Sequence, residues 1–224
     1  MATVTFQRAR TEEQREIRRQ AILDAASAML DEMPVAAVTL NELSRRAGLA
    51  KPNVLRYFES REAVLLELLD RFLAEWLADL TAELTNGIDA KLPMAERAVA
   101  VAEILSRSLS GRVVLCDLFG AQGSVLEHNV SVEVAVRHKR ASLAHLATMA
   151  ELVQQHLPEL GENAELFGLQ TLVMAGSLSA YATPPPSLAA AYQAEPSLAR
   201  FHMELKDALK LALTAALLGV LPRS

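Results

Sequence analysis

Residues 39–58 read TLNELSRRAGLAKPNVLRYF, and this stretch decides the fold of the N-terminal part of the chain. It begins with a capping box, because the Thr39 hydroxyl can accept a hydrogen bond from the amide of Glu42 while the Glu42 side chain reaches back to the Thr39 amide. A short helix is predicted to follow and to end at Gly48, since glycine commonly terminates helices. The pattern therefore places a helix start and a helix stop within one short segment.

A second short helix is predicted over residues 51–58, with Pro52 tolerated in its first turn. Two short helices joined by a tight turn that contains glycine form a helix-turn-helix, whose second helix enters the major groove of DNA. Val54 and Phe58 lie four residues apart and share one face, so we expect them to pack against the preceding helix. The side chains on the other face are then left for DNA.

That outer face carries side chains whose chemistry suits base edges. Lys51 and Arg56 can donate hydrogen bonds to guanine, and Asn53 can pair with adenine through two hydrogen bonds. Four side chains at the edge of the motif are candidates for contacts with phosphate: Thr39, Arg46, Tyr57 and Arg61. A capped helix, a glycine turn and another helix also occur in many proteins that do not bind DNA, so the motif by itself leaves that alternative open.

The charge of the chain is distributed unevenly. The 224 residues carry a formal net charge of −5, but residues 1–61 hold 10 Lys and Arg against 8 Asp and Glu, and residues 62–224 hold the acidic excess. Because affinity for nucleic acid depends on the local field, the negative net charge does not argue against DNA binding.

The single cysteine, Cys116, excludes an internal disulfide and fits a reducing cytoplasm.

Composition and periodicity predict an all-α fold. Hydrophobic residues make up 51% of the chain and aromatic residues 4%, and Ala and Leu, which supply most of the apolar share, are good helix formers. We expect a flexible arm over residues 1–11, a three-helix DNA-binding domain over residues 12–62 and a helical domain over residues 63–224. Apolar stripes, caps and Gly or Pro stops predict helices over residues 11–30, 39–47, 51–58, 60–86, 94–109, 112–119, 130–157, 164–182 and 198–218.

The helix predicted over residues 164–182 is poor in charge. Its segment 166–182 contains no charged residue, yet it falls short of the roughly 20 apolar residues that a membrane span needs. We therefore predict no membrane span and interpret the segment as a buried helix in which Gly168 and Gly176 let a partner helix approach closely. With the last helix, over residues 198–218, it is predicted to form a homodimer interface; the alternative is that both helices only complete the core of one chain.

Three segments resemble the N-terminal domain of the tetracycline-repressor (TetR) family of transcription regulators. They are LDAA at residues 23–26, TLNELSRRAGL at residues 39–49 and YFESREAVL at residues 57–65. The resemblance covers residues 14–75, and the remainder agrees in the number and lengths of its helices. It implies an all-α homodimer that binds double-stranded DNA at a palindromic operator, acts as a repressor, and is released when a small-molecule effector enters the C-terminal domain.

The chain departs from the family pattern at three positions. Ala50 stands where many members have a serine that caps the recognition helix, and Leu55 stands where many have a tyrosine that contacts the DNA backbone. We expect Leu55 to pack on a thymine methyl group or a sugar edge instead, whereas Arg61 replaces a lysine and keeps its charge. With the roles that the resemblance implies, the predicted DNA-binding residues are Thr39, Arg46, Lys51, Pro52, Asn53, Leu55, Arg56, Tyr57 and Arg61.

An effector pocket is predicted in the C-terminal domain, and the aliphatic composition favours an apolar or aromatic effector. Its candidate contacts are Phe72, Trp76, Cys116, Phe119, His145 and Met149.

No cofactor is expected, the histidines lack the spacing of a metal site, and no catalytic motif of an enzyme is present. The leading hypothesis is a ligand-responsive DNA-binding regulator; the alternatives are a helical interaction protein without sequence-specific DNA binding and a helical enzyme.

Overall fold

A computed structural model describes the backbone of residues 2–222 and the side chains of residues 12–222, and over these residues the protein is all-α, as predicted. Ten α-helices follow one another, and short turns of 3₁₀- or π-helix join several of them. Their bounds are α1 Ala2–Glu32, α2 Leu40–Arg46, α3 Lys51–Val54, α4 Arg61–Gly87, α5 Met94–Ser110, α6 Val113–Ala121, α7 Val132–His156, α8 Ala164–Ala182, α9 Pro186–Ala194 and α10 Leu205–Val220.

The predicted caps start the helices of the N-terminal part. The Thr39 hydroxyl accepts from the Glu42 amide at 3.2 Å and begins α2, and the Ser60 hydroxyl accepts from the Ala63 amide at 3.1 Å and begins α4. Each cap satisfies an amide that has no partner within its own helix. The long helix α4 connects this part to the C-terminal helices, and a row of its leucines is buried along its length.

Two predicted boundaries near the N-terminus are wrong. Residues 2–10 belong to α1 and do not form a flexible arm; no glycine or proline interrupts residues 2–32, so the helical hydrogen bonds continue. The helix α3 ends at Val54 instead of Phe58, and bonds from the Arg56 amide to Asn53 and from the Tyr57 amide to Val54 turn the chain more tightly.

The predicted start of the last helix is also wrong. α10 begins at Leu205 rather than at residue 198, and the separate helix α9 precedes it. Pro186 occupies the first turn of α9, where its missing amide hydrogen costs nothing. The run of prolines at residues 184–186 therefore follows the end of one helix and also begins another.

Helix α8 lies at the centre of the C-terminal bundle, against α6, α7 and α10. A Cβ atom added at Gly176 would lie 2.5 Å from the Gly120 nitrogen, so the backbones of α8 and α6 touch where they cross. The small residue that was predicted to admit a partner helix therefore admits α6 of the same chain. Salt bridges join α5 to α10, because the Glu103 carboxylate lies 2.9 Å from the Lys206 amine and 2.7 Å from the Lys210 amine.

Candidate nucleic-acid interface and interdomain cavity

The turn between α2 and α3 is set by backbone geometry. Gly48 has a φ of 65°, in the left-handed region that glycine adopts at little cost. The Leu49 amide donates to the Ser44 carbonyl oxygen at 3.0 Å, which closes the turn. Ala50 then enters α3 in an extended conformation without a side-chain cap. The sequence Gly48-Leu49-Ala50 thus fixes the angle at which α3 leaves α2.

Four charged side chains hold the end of α1 against α2. The Glu42 carboxylate accepts from Arg45 at 2.5 Å and from Arg46 at 2.9 Å, instead of reaching back to the Thr39 amide as the capping box predicted. The bonds from Arg45 and Arg46 lower the pKa of Glu42 to about 2. Arg46 also donates to Glu32 at 2.7 Å, so its guanidinium bridges α1 and α2.

Helix α3 and the turn after it, residues 51–58, have a buried side and an exposed side, and we call the exposed side the outer face of α3. Val54 and Phe58 are buried in the core, as their spacing predicted, and the ring of Phe58 lies 4.8 Å from the Arg19 guanidinium carbon of α1. The other face points outward and brings five of the predicted DNA-binding residues together. They are Lys51, Pro52, Asn53, Leu55 and Arg56.

The four candidates for phosphate contacts differ in what already engages them. Arg46 is bonded to two carboxylates, and Arg61 donates to the Val38 carbonyl oxygen and to Glu62. The Thr39 side chain caps α2 but is exposed at the surface. Tyr57 is half-buried and lines a groove between α1 and α3.

That groove contains basic residues that the sequence reasoning missed. It encloses about 430 Å³, and its walls are Gln14, Arg15 and Arg18 of α1 together with Arg56 and Tyr57. Three arginines at one edge of the exposed face of α3 provide the positive field that a phosphate backbone needs. The run REIRRQ at residues 15–20 was visible in the sequence, but only the fold shows which of its arginines lie beside α3.

A large cavity lies between the end of α1, helix α6 and helix α8, and we call it the interdomain cavity. It has a volume of about 1000 Å³, and residues 30–36 form its upper wall. A second, inner cavity of about 260 Å³ lies between α4, α7 and α8, and Phe119, Gln122 and Lys139 line both. At the inner cavity, buried His138 bonds to Asp70, with 2.8 Å between Nδ1 and Oδ1.

Two models of known protein families match this chain. Residues 22–68 match the family described as bacterial regulatory proteins, tetR family. Residues 70–224 match the family described as tetracyclin repressor-like, C-terminal domain. The chain belongs to the tetR family of bacterial regulatory proteins. The expected all-α fold and the expected family are therefore both confirmed.

The TetR-family relatives match over different lengths of this chain. The HTH-type transcriptional regulator EthR of Mycobacterium tuberculosis (strain ATCC 25618 / H37Rv) is 44% identical over 54 residues, which are 24% of this chain and 25% of EthR. FadR of Thermus thermophilus, a TetR-family repressor solved with lauroyl-CoA, is 19% identical with a TM-score of 0.55, over 92% of this chain and 96% of that one. FadR of Bacillus subtilis, solved with stearoyl-CoA, is 13% identical with a TM-score of 0.52, over 91% and 99%. At these identities the solved structures show a shared fold.

The structure places one of the six predicted effector contacts, Phe119, on the wall of both cavities. Trp76 and Met149 are buried in the core, and the Trp76 indole donates to Ser108 at 3.0 Å. Cys116 is also buried, and burial raises the pKa of its thiol to about 12, which leaves it protonated and unreactive. The remaining two, Phe72 and His145, are half-buried and lie outside both cavity walls.

Polar contacts join the part matched by the tetR-family model to the C-terminal part. The Val35 amide donates to the Asp117 carboxylate of α6 at 2.8 Å. At the start of α7, the Ser131 amide donates to Glu59 at 2.5 Å, and Asn129 donates to Glu62 at 3.3 Å. These contacts connect α6 and the start of α7 to the segments that flank the helix-turn-helix.

Within the described residues, no helix is both long and apolar enough to span a lipid bilayer.

Proposed function

We propose that this chain is a ligand-responsive DNA-binding regulator that acts in the cytoplasm. It represses transcription by binding a palindromic operator as a homodimer, and a small molecule releases it. The observation that carries the proposal is the outer face of α3, where Lys51, Asn53 and Arg56 are exposed beside the basic groove of α1. That combination supplies donors for base edges and positive charge for the backbone on one surface.

The proposed contacts to DNA are of two kinds, contacts to base edges and contacts to phosphates, and different residues make them. Lys51, Asn53 and Arg56 read base edges in the major groove, and Pro52 and Leu55 contribute apolar contact on the same face. Thr39 and Tyr57, with the two arginines of the groove, Arg15 and Arg18, bind phosphates. Arg46 and Arg61 act mainly within the protein, because Arg46 is bonded to α1 and α2, and Arg61 to α4 and to the Val38 carbonyl oxygen before α2.

Exposed apolar side chains support α8 and α10 as the homodimer interface. On α8, the leucines and valine of one face are about half exposed, and Glu165 is the only charged residue of the helix. On α10, Leu211 is 64% exposed. A second copy of the chain would cover these faces, and a twofold axis would present two copies of α3 to successive turns of the major groove. The exposed apolar residues concerned are Leu166, Leu169, Val173, Leu211 and Leu218.

Release follows from the position of the interdomain cavity. Its upper wall is the segment between α1 and α2, and Asp117 ties that segment to α6. An effector that fits the cavity better when α6 is displaced shifts the population toward a dimer whose recognition helices have the wrong separation. A coupling of about 1–3 kcal/mol would lower DNA affinity by roughly 5- to 150-fold.

The proposal is tested by selecting random duplex DNA with the purified chain. The test variant changes Lys51, Asn53 and Arg56 to Ala, and the matched control changes the same residue types at the exposed positions Lys91, Asn86 and Arg140 to Ala. We expect wild type and control to enrich one inverted repeat and the test variant to lose it. If wild type enriches no sequence at moderate salt, specific DNA binding is refuted and a helical interaction protein becomes the better account.

A further inference from the structure

The interdomain cavity has an acidic wall. Four carboxylates line it, and among the described residues Lys139 is the single cation on its surface. Lys139 lies 2.6 Å from Glu127, and Glu32 lies 2.7 Å from Arg46, so these two acids already have partners. The acids that remain are Asp31, which forms no ion pair among the described residues, and Asp117, which accepts a hydrogen bond from the Val35 amide.

Two helix C-termini add negative potential to the same cavity. Residues 30–32 at the end of α1 line one wall, and Ser179, Ala180 and Thr183 at the end of α8 line another. Neither helix has a basic residue in its last turn. Because the carbonyl end of a helix carries a partial negative charge, both ends favour a cation nearby. The first residues of α6, Val113 and Val114, also line the cavity, and the partial positive charge of that helix end opposes part of this effect.

The remaining wall of the cavity is apolar and contains one aromatic ring. Val113 and Val125 provide aliphatic surface, and Phe119 lies where the interdomain cavity meets the inner cavity. Leu169 and Val173 of α8 also line the cavity, on the side that a second copy of the chain would cover in the proposed dimer. Aliphatic walls suit an alkyl or aromatic body, and the face of a phenylalanine ring attracts a positively charged group. The cavity therefore combines an apolar surface with two carboxylates, Asp31 and Asp117, that form no ion pair among the described residues.

We propose that the interdomain cavity binds a lipophilic cation, such as a hydrophobic amine or quaternary ammonium compound, and that this ligand is the effector. The assignment of the effector role rests on the proposed function; the binding chemistry rests on the cavity. The apolar body of the ligand lies along α6 and α8, and its cationic group lies near Asp31 and Asp117. The FadR structures hold acyl-CoA esters, whose phosphate groups are anionic, and a wall with one already paired lysine does not suit such a head group.

The proposal is tested with three ligands that share one decyl chain: decyltrimethylammonium, decanol and undecanoate. Binding to the full chain is measured by calorimetry without DNA, below the concentrations at which the ligands form micelles. We expect the cation to bind at least about tenfold more tightly than the alcohol, and the carboxylate to bind more weakly than the alcohol. Equal binding of the cation and the alcohol, a preference for the carboxylate, or binding of none would overturn the proposal.

Matched variants separate the cavity from the net charge of the protein. In D31N/D117N both carboxylates are lost, but an asparagine at position 117 still offers an oxygen to the Val35 amide, so the link to α6 is kept. The control, E151Q/E162Q, removes two exposed carboxylates that do not line the cavity. We expect the preference for the cation to disappear in D31N/D117N and to persist in E151Q/E162Q. An unchanged preference in D31N/D117N would refute the role of the two aspartates.

The ligand and DNA measurements distinguish a failure of the proposed ligand class from a failure of the proposed DNA-binding function. If wild type binds a selected DNA duplex but shows no preference for the cation, the proposed ligand class is wrong and the regulator remains. If the cation binds selectively but no DNA sequence is enriched, the regulator is wrong and the ligand site remains. If the cation binds selectively without lowering DNA affinity at saturation, it occupies the cavity but is not the effector, which contradicts the proposal as stated.

Discussion

At the scale of single residues, the crossing of α6 and α8 depends on the absence of a side chain at Gly176. A Cβ atom there would meet the Gly120 nitrogen at 2.5 Å and the Phe119 carbonyl carbon at 2.7 Å, and backbone atoms cannot move aside cheaply. We predict that Gly176→Ala lowers the free energy of unfolding by about 1–3 kcal/mol, as overpacking does. Urea denaturation measures the change.

The matched control is Gly219→Ala on α10, because a Cβ atom there meets nothing within 4 Å. That change is expected to leave stability unaltered or to raise it by up to about 1 kcal/mol, since alanine favours the helix. Equal stability of the two variants would show that the α6–α8 crossing is looser than described.

Phosphate and base contacts make different predictions for single residues. Arg18 lines the basic groove and is proposed to bind phosphate, so Arg18→Ala should weaken binding to all duplexes alike and reduce the slope of log affinity against log salt by about 1. Asn53→Ala should instead relax the preference for one base, at a cost of about 1–3 kcal/mol on the selected duplex. Fluorescence anisotropy at several salt concentrations separates the two effects. A loss of base preference in Arg18→Ala would contradict this division of roles.

At the scale of elements, α3 begins without a side-chain cap. Ala50 precedes it with φ −65° and ψ 143°, the extended conformation of a capping residue. The Asn53 amide already donates to the Ala50 carbonyl oxygen at 2.8 Å, and a serine at position 50 could share this donor. We therefore predict that Ala50→Ser raises the free energy of unfolding by up to about 1 kcal/mol. Ser60→Ala, which removes the cap of α4, should lower it by a similar amount. A destabilised Ala50→Ser variant would show that the start of α3 cannot use a cap.

The starts and stops of most elements follow from local chemistry, which is why the sequence predicted them. α8 runs over residues 164–182 as expected, and Thr39 and Ser60 cap their helices as expected. The Arg46 side chain could not be placed from the sequence, because its partners include Glu32 on another helix. The cavities could not be predicted for the same reason: they are bounded by helices that are distant in sequence, and only Phe119 of six candidates lines them.

At the scale of the whole molecule, the proposed dimer requires the apolar face of α10. We predict that wild type has twice the 24.3 kDa mass of one chain and that Leu211→Glu is a monomer, because the substitution buries an unpaired charge in the interface. Val132→Glu, at a position 79% exposed on α7, is the control and should remain a dimer. Light scattering after size exclusion gives the masses. A dimeric Leu211→Glu or a monomeric wild type would place the interface elsewhere or remove it.

The central claim is that this chain reads DNA sequence through the exposed face of α3. The most direct measurement compares, at 150 mM salt, its affinity for the selected inverted repeat and for a shuffled duplex of the same length and composition. The account predicts that the inverted repeat binds at least about 10³-fold more tightly, the lower end of what specific binders achieve. Affinities for the two duplexes that agree within a few-fold would contradict it, because only the charge of the groove, and not the residues of α3, would then contribute to binding.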